Sequence, residues 1–303
     1  MSADVRVGLD IGGTKMLGVV VAADGTVTAR HREATVPGPD GVLATATRVL
    51  DRLAGEFDGV LPSHIGIGFP GLVDQERGAV SHAVNLGLGG DWLPLADRLA
   101  ERTGAAVAVE NDVRAATWGA HVLSGADDLG YLSIGTGLAA GYVLDGVLRR
   151  GAYGASGEIG HVPVDPGGAL CSCGQRGCLE LTAAASALTA AWPADDVLSP
   201  AAAVFAAARA GDPEATAIRD RFCARVADAI RMLGLAVDPA TIIIGGGITD
   251  LGAPLLAAVT SALRAQTAGS PFLAAINLAA RVRLLPAGVP VGAIGAAMIW
   301  DAR

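Results

Sequence analysis

Twice in this chain an apolar run breaks at a short turn of glycine and threonine, and a second apolar run returns from it. Val5 to Asp10 enters Ile11-Gly12-Gly13-Thr14-Lys15 and comes back through Leu17 to Ala22. Gly130 to Ile134 turns at Gly135-Thr136-Gly137 and comes back through Leu138 to Leu144. Each reads as a hairpin, and two hairpins of one design point to two halves built on one plan. A third glycine run, Gly245-Gly246-Gly247, closes the strand-like segment Thr241 to Ile244. Glycine at such a tip lets backbone N–H groups approach phosphate oxygens with no Cβ in the way. One such turn alone is a plain hairpin. Three of them, two with a threonine hydroxyl to add, favour an anionic ligand. None is followed by Gly-Lys-Ser/Thr at the spacing of a P-loop, and none has the Gly-x-Gly-x-x-Gly that opens a dinucleotide-binding helix.

Between the glycine turns the pattern alternates. Val42, Leu43, Ala46, Val49, Leu50 and Leu53 are spaced for a helix over 40–56, and Ile65 to Phe69 reads as a strand stopped by Pro70-Gly71. A helix is expected over 93–103. A strand over 106–109 then runs into Glu110-Asn111-Asp112 and a helix carrying Ala115, Ala116, Trp118 and Ala120. Alanine-rich helices follow over 182–191, 200–210 and 213–234, with a last one over 292–300. A chain of 303 residues is long for one core, since single cores stop growing near roughly 250 to 300 residues. The expectation is therefore an α/β protein of two domains around a cleft: 1–118 plus 290–303 as the small domain and 119–289 as the large one.

Charge and hydropathy narrow the partners. A formal charge of −8 with no cluster of Lys or Arg would repel a phosphate backbone, so nucleic acid is not expected. The mean hydropathy of +0.47 is high for a water-soluble chain. Yet the longest charge-free stretch, Leu284 to Trp300, holds two prolines and three glycines and reads as a buried turn and helix, so no membrane partner is expected. Residues 1–30 show no basic, apolar and small-residue sequence of a secretory leader, and a cytoplasmic location is expected.

Four positions or groups carry chemistry. Asp10, ending the first strand, suits Mg²⁺, a hard cation that takes carboxylate oxygen, or else caps the turn after it. Asp112 suits a general base that orients an acceptor hydroxyl and takes its proton, with Asn111 holding a hydroxyl beside it. Either residue could equally cap the helix that follows. His161, Cys171, Cys173 and Cys178 fall within eighteen positions, with glycines at 174 and 177 to let the loop close. Three thiolates and an imidazole make a closed tetrahedral zinc set, and the alternative is a pair of buried thiols with an unrelated histidine. Glu158 and Glu180 flank this group and suit recognition of neighbouring hydroxyls, or simply support the metal or face water. Cys223, on a helical stretch, reads as core filling.

The segments Asp10-Ile-Gly-Gly-Thr-Lys15, Glu110-Asn-Asp112, Gly135-Thr-Gly137, Glu158-Ile-Gly-His161 and Cys171-x-Cys-Gly-x-x-Gly-Cys178-x-Glu180 resemble, in order and spacing, the sugar kinases of the ROK family (repressors, open reading frames, kinases). The resemblance covers essentially the whole chain. It implies an actin-like ATPase fold, related to ribonuclease H, with ATP and Mg²⁺ bound and a hexose, glucose first, phosphorylated on its 6-hydroxyl. By this resemblance Asp112 is the base. Asn111, Glu158, His161 and Glu180 bind the sugar, joined by Gly71 and Asn85, while His161 also completes a structural Zn²⁺ site. Asp10, Gly12, Gly13, Thr14 and Lys15, with Gly135, Thr136, Gly137, Gly245, Gly246 and Gly247, hold the nucleotide. Mannose, fructose, N-acetylglucosamine and N-acetylmannosamine are the alternative acceptors, and a homodimer is implied. The family also contains sugar-responsive regulators, which carry an N-terminal DNA-binding segment, whereas the first hairpin here begins by residue 5. Three features depart from the pattern. Leu138-Ala139-Ala140 replaces a run of glycines, the loop 86–92 is longer than the family's form, and Arg114 stands where many glucose kinases of the family have Asn.

Overall fold

The structure is a computed structural model that describes residues 5–57, 59, 61–192 and 198–302. It divides the chain into two compact units. The first takes the chain through Asp127, with Val143–Gly154 and the stretch from Pro290; the second takes Asp128–Tyr142 and Ala155–Val289. A cut at residue 118 would have fallen inside a helix, and the division instead comes after that helix has ended.

The first unit opens with β1 (Val5–Ile11), β2 (Lys15–Ala22) and β3 (Val27–Ala34), followed by α1 (Pro39–Ala54), β4 (His64–Phe69), β5 (Leu72–Asp74) and β6 (Ala79–Ser81). It continues with α2 (Leu95–Thr103), β7 (Ala106–Asn111) and α3 (Asp112–Ser124). The sheet order is β3-β2-β1-β4-β7, with β1, β4 and β7 parallel and β2 and β3 antiparallel. Val42, Leu43, Ala46, Val49, Leu50 and Leu53 of α1 are buried in one stripe, as their spacing predicted. Pro94 caps α2, so that helix starts two residues later than its apolar pattern begins. β3 alternates half-buried and exposed residues along its whole length, the pattern of an edge strand with one face to solvent.

In the second sheet β8 (Leu129–Ile134), β9 (Leu138–Leu144) and β10 (Val147–Leu148) repeat the antiparallel half of this design. Four helices follow: α4 (Glu180–Ala183), α5 (Ala185–Ala191), α6 (Pro200–Arg209) and α7 (Pro213–Ala236). The expected helix over 182–191 is thus two, because Ala184 is extended and breaks it. β11 (Thr241–Gly245), α8 (Ala253–Thr267), α9 (Pro271–Ile276) and β12 (Val282–Leu284) complete the sheet in the order β10-β9-β8-β11-β12, with β8, β11 and β12 parallel. The two sheets match strand for strand, so the repeated hairpins do mark a repeated plan. Cys223 lies buried on α7, where burial pushes its thiol up to about 12.

The last helix, α10 (Val291–Ala297), belongs to the first unit. It lies against β1, β4 and α3 with backbone touching backbone. A Cβ on Gly8 would come within 2.0 Å of the Ala293 carbonyl, and one on Gly66 within 1.7 Å of that of Ala296. This is the buried turn and helix that the charge-free stretch suggested. Among the described residues no helix is long and apolar enough to cross a membrane.

Candidate functional site

In the first unit the expected residues gather at the carboxyl ends of β1, β4 and β7, where open α/β sheets place ligands. Asp10 lies next to Gly68 in register, and the backbone of Asp112 sits 3.6 Å from where a Gly68 Cβ would be. The two carboxylates sense each other. Burial first, and then the charge of Asp112, raise Asp10 to about 7, while Lys15 acts the other way. The first glycine turn closes with Gly12 N–H donating to the Lys15 carbonyl at 2.9 Å. Gly13 packs so tightly on Asn85 that a Cβ there would be 2.9 Å from the Asn85 Cβ. Gly71, at φ +104°, would drive a side chain to within 2.6 Å of the Ser81 carbonyl, so glycine is required at that strand end.

At the β7–α3 corner the capping question is decided. Asn111 is the N-cap, its side-chain oxygen accepting from the N–H groups of Val113 at 3.1 Å and Arg114 at 3.2 Å. Its amide nitrogen faces the Gly71 carbonyl at 3.4 Å. Asp112 is the first helical residue, and its Oδ1 accepts from Val113 N–H at 2.9 Å.

Glu110 and Arg114, neither assigned a role from the sequence, form the buried heart of the same corner. Glu110 is completely buried. Its Oε1 accepts from Arg114 Nε at 2.7 Å and from Asn111 N–H at 2.9 Å; its Oε2 accepts from Arg150 Nε at 2.8 Å and from Gln75 Nε2. A sequence signal did exist. Arg114 stands in the first turn of α3, against the positive end of the helix dipole, and an acid four residues earlier is its natural partner.

In the second unit Thr136 and Gly137 are exposed and Gly135 is half-buried, while Leu138 and Ala140 are buried on β9. Two of the three side chains that replace the family's glycines, Leu138 and Ala140, therefore point into the core, and Ala139 lies on the other face of the strand. Gly246, at φ +86°, would place a Cβ 2.4 Å from the Ile134 carbonyl, so the third glycine turn lies against the second. The Glu158–His161 segment is docked on β9 as well. Ala140 N–H donates to the Gly157 carbonyl at 2.8 Å, and Gly160 lies so close to the Leu138 carbonyl that a Cβ would be 2.0 Å from it. Glu158 is exposed and leads into the 3-10 turn Ile159–His161. Glu180 begins α4, and its Oε2 would be 3.2 Å from a Cβ on Gly137.

His161, Cys171, Cys173 and Cys178 converge, with every potential ligand atom within 4.8 Å of the others. Cys173 and Cys178 Sγ are 3.6 Å apart, and Cys171 Sγ is 3.8 Å from His161 Nδ1. Tetrahedral zinc with Zn–S of about 2.3 Å and Zn–N of about 2.1 Å sets ligand separations of about 3.6–3.8 Å, so the group fits that ion. The thiols differ among themselves: burial pushes Cys178 up to about 12, whereas hydrogen bonds from Gln175 draw Cys173 down to about 6. Glu180 Oε1 accepts from the Cys171 thiol at 3.1 Å and lies 3.6 Å from His161 Nδ1, which ties the carboxylate to the cluster.

Comparison with known proteins covers the whole chain. The family model described as "ROK family" matches residues 6–303. The chain is 35% identical over 266 residues to a glucokinase of Thermotoga maritima, covering 81% of this chain and 83% of that one. It is 32% identical over 242 residues to an N-acetylmannosamine kinase of Yersinia pseudotuberculosis, covering 79% and 82%. In structure it is similar to a ROK family glucokinase from Streptomyces griseus, solved in complex with glucose and AMPPNP: TM-score 0.81, 31% identity, 97% of this chain and 98% of that one.

Proposed function

The chain belongs to the ROK family, with the actin-like ATPase fold of two α/β domains, and from that membership and the geometry above we infer that it is an ATP-dependent sugar kinase whose acceptor is glucose. The observation that carries the catalytic part of the reading is the division of labour at the β7–α3 corner. Asn111 satisfies the first N–H groups of α3, so Asp112 is not needed as a cap. A carboxylate at that position, beside Asp10, suits a base. The acceptor hydroxyl oxygen forms the new bond to the terminal phosphorus of ATP, the bond to the ADP oxygen breaks, and the hydroxyl proton passes to Asp112. Catalysis of this kind is mostly positioning and charge stabilisation.

The glycine turns at 12–14, 135–137 and 245–247 supply N–H groups for the phosphates and adenosine. Asp10 would hold Mg²⁺, directly or through water, and the ion would offset the charge of the transferring phosphoryl group. Glu158, Glu180 and His161, with Asn111, Gly71 and Asn85, bind sugar hydroxyls. His161 turns Nδ1 to the cysteines, which leaves Nε2 as the donor for a hydroxyl. Zn²⁺ at the four-residue cluster would be structural, since all four tetrahedral positions are filled by protein.

The N-acetylmannosamine kinase relatives and the long loop between Asn85 and Trp92 favour a second acceptor for comparison. Coupled detection of ADP with glucose, mannose, fructose, N-acetylglucosamine and N-acetylmannosamine decides between them. The highest kcat/KM is expected with glucose. A higher value with N-acetylmannosamine would replace glucose as the acceptor, and no turnover with any of the five would end the kinase reading.

A further inference from the structure

Arg114 is 5% exposed and makes two contacts in opposite directions. Its Nε donates to Glu110 Oε1 at 2.7 Å, and its Nη1 donates to the carbonyl of Gly154 at 2.7 Å. The first contact does not explain the residue. Glu110 already has a guanidinium on its other oxygen, from Arg150 at 2.8 Å, so one arginine suffices to compensate the buried carboxylate. A cation in a helix first turn is unfavourable, and a long side chain fixed in one rotamer loses entropy. Something else keeps it there, and the contact to Gly154 is what Arg150 does not duplicate.

Gly154, at φ +69°, ends the turn 151–154, three residues before the Gly157 that docks Glu158 and His161 onto β9. On its other side Arg114 shares Glu110 Oε1 with the N–H of Asn111, the residue that precedes the base. The planar fork of a guanidinium can hold a carboxylate and a carbonyl at a fixed separation, which an ammonium on a flexible stem cannot.

We propose that Arg114 is a positioning residue for phosphoryl transfer: it clamps the corner bearing Asn111 and Asp112 to the 151–154 turn, and so fixes the base and the lead-in to the sugar-binding segment in one register. The kinetic part of this rests on the sugar-kinase reading; the clamp itself does not.

Two variants separate a clamp from a counter-charge. Arg114→Lys keeps the charge beside Glu110 and Arg114→Gln removes it, but neither presents two donors across that span. With a clamp, both variants lose about tenfold in kcat at saturating substrates, as expected for a misplaced base, while KM for nucleotide and the melting temperature of the lysine variant stay close to those of the parent. Amide hydrogen exchange rises together in residues 111–114 and 151–154 in both. A parental kcat in Arg114→Lys would overturn the positioning role. Faster exchange at 111–114 with none at 151–154 would overturn the clamp, and this reading stands whether or not the parent phosphorylates any sugar.

Discussion

The β7–α3 corner and the loop from His161 to Glu180 both set a carboxylate beside a neighbouring polar group, and they do it with different material. The corner uses charges the chain carries itself: buried Glu110 is held by Arg114, Arg150, Gln75 and a backbone N–H, and the helix above it is capped by Asn111. In the loop the Glu180 carboxylate is half-buried and meets the Cys171 thiol and His161 Nδ1. Short turns gather four potential ligand atoms within 4.8 Å, and on the zinc reading proposed above an ion would supply the loop's rigidity. A residue in the corner should therefore be replaceable without loss of its surroundings, whereas loss of one cysteine should loosen everything the loop carries.

The largest expected effect tests the first half of that contrast. Asp112→Asn keeps shape and removes the proton acceptor, so kcat should fall by about 10² or more. Because Asn111 and the Glu110 cluster are untouched, the melting temperature and calorimetric sugar affinity should stay near the parent values. A large loss of stability would show that the corner is not self-supporting, and an unchanged kcat would show that its acid is not the base.

The second half is tested at Cys173. Metal analysis of protein purified without chelator should find about one zinc per chain. Cys173→Ala should lose it, raise the sugar KM by about tenfold and lower the melting temperature, while nucleotide affinity at the glycine turns changes little. A zinc-free parent that phosphorylates sugar at full rate would remove the contrast altogether.

How legible each region is in the sequence follows from the same difference. Residues of one loop that could hold one ion lie near each other in the chain, so His161 to Cys178 declared itself by spacing, and so did the two hairpins, whose glycine tips sit between adjacent strands. The Glu110 cluster draws on Gln75 and Arg150, 35 and 40 positions from Glu110, as well as Arg114, and meets only because β4 and β7 pair and the chain returns at 147–154. Beyond the Glu110–Arg114 spacing of four, no local pattern could show it. Nor did the pattern show that Asn111 rather than Asp112 is the cap, since both are good capping residues and one residue of register decides. β12, only three residues long, is too short to stand out from its flanks, and alanine-rich α8 has too few large side chains for a clear apolar stripe.

Asp10 is the place where the first unit departs from its own rule, and it gives the smallest effect. Its carboxylate is raised to about 7 from the ordinary 3.8 by burial and by Asp112, and Lys15 does not offset this. A raised carboxylate is protonated in both folded and unfolded chains below about pH 4, so there it has no cost. As pH climbs toward 7 the unfolded chain ionises first, and the metal-free protein loses stability through this group. A rise of that size corresponds to about 4 kcal/mol, and the solvent the half-buried side chain still meets reduces that to about 1–2 kcal/mol. Asp10→Asn should therefore raise the melting temperature of metal-free protein at pH 8 by a few degrees, at about 2–4 °C per kcal/mol, and leave it unchanged at pH 4. Mg²⁺ added to the parent at pH 8 should close the gap, because a cation favours the ionised form. Equal shifts at both pH values would mean that Asp10 is held by its neighbours as firmly as Glu110 is, and that the first unit needs no outside charge at all.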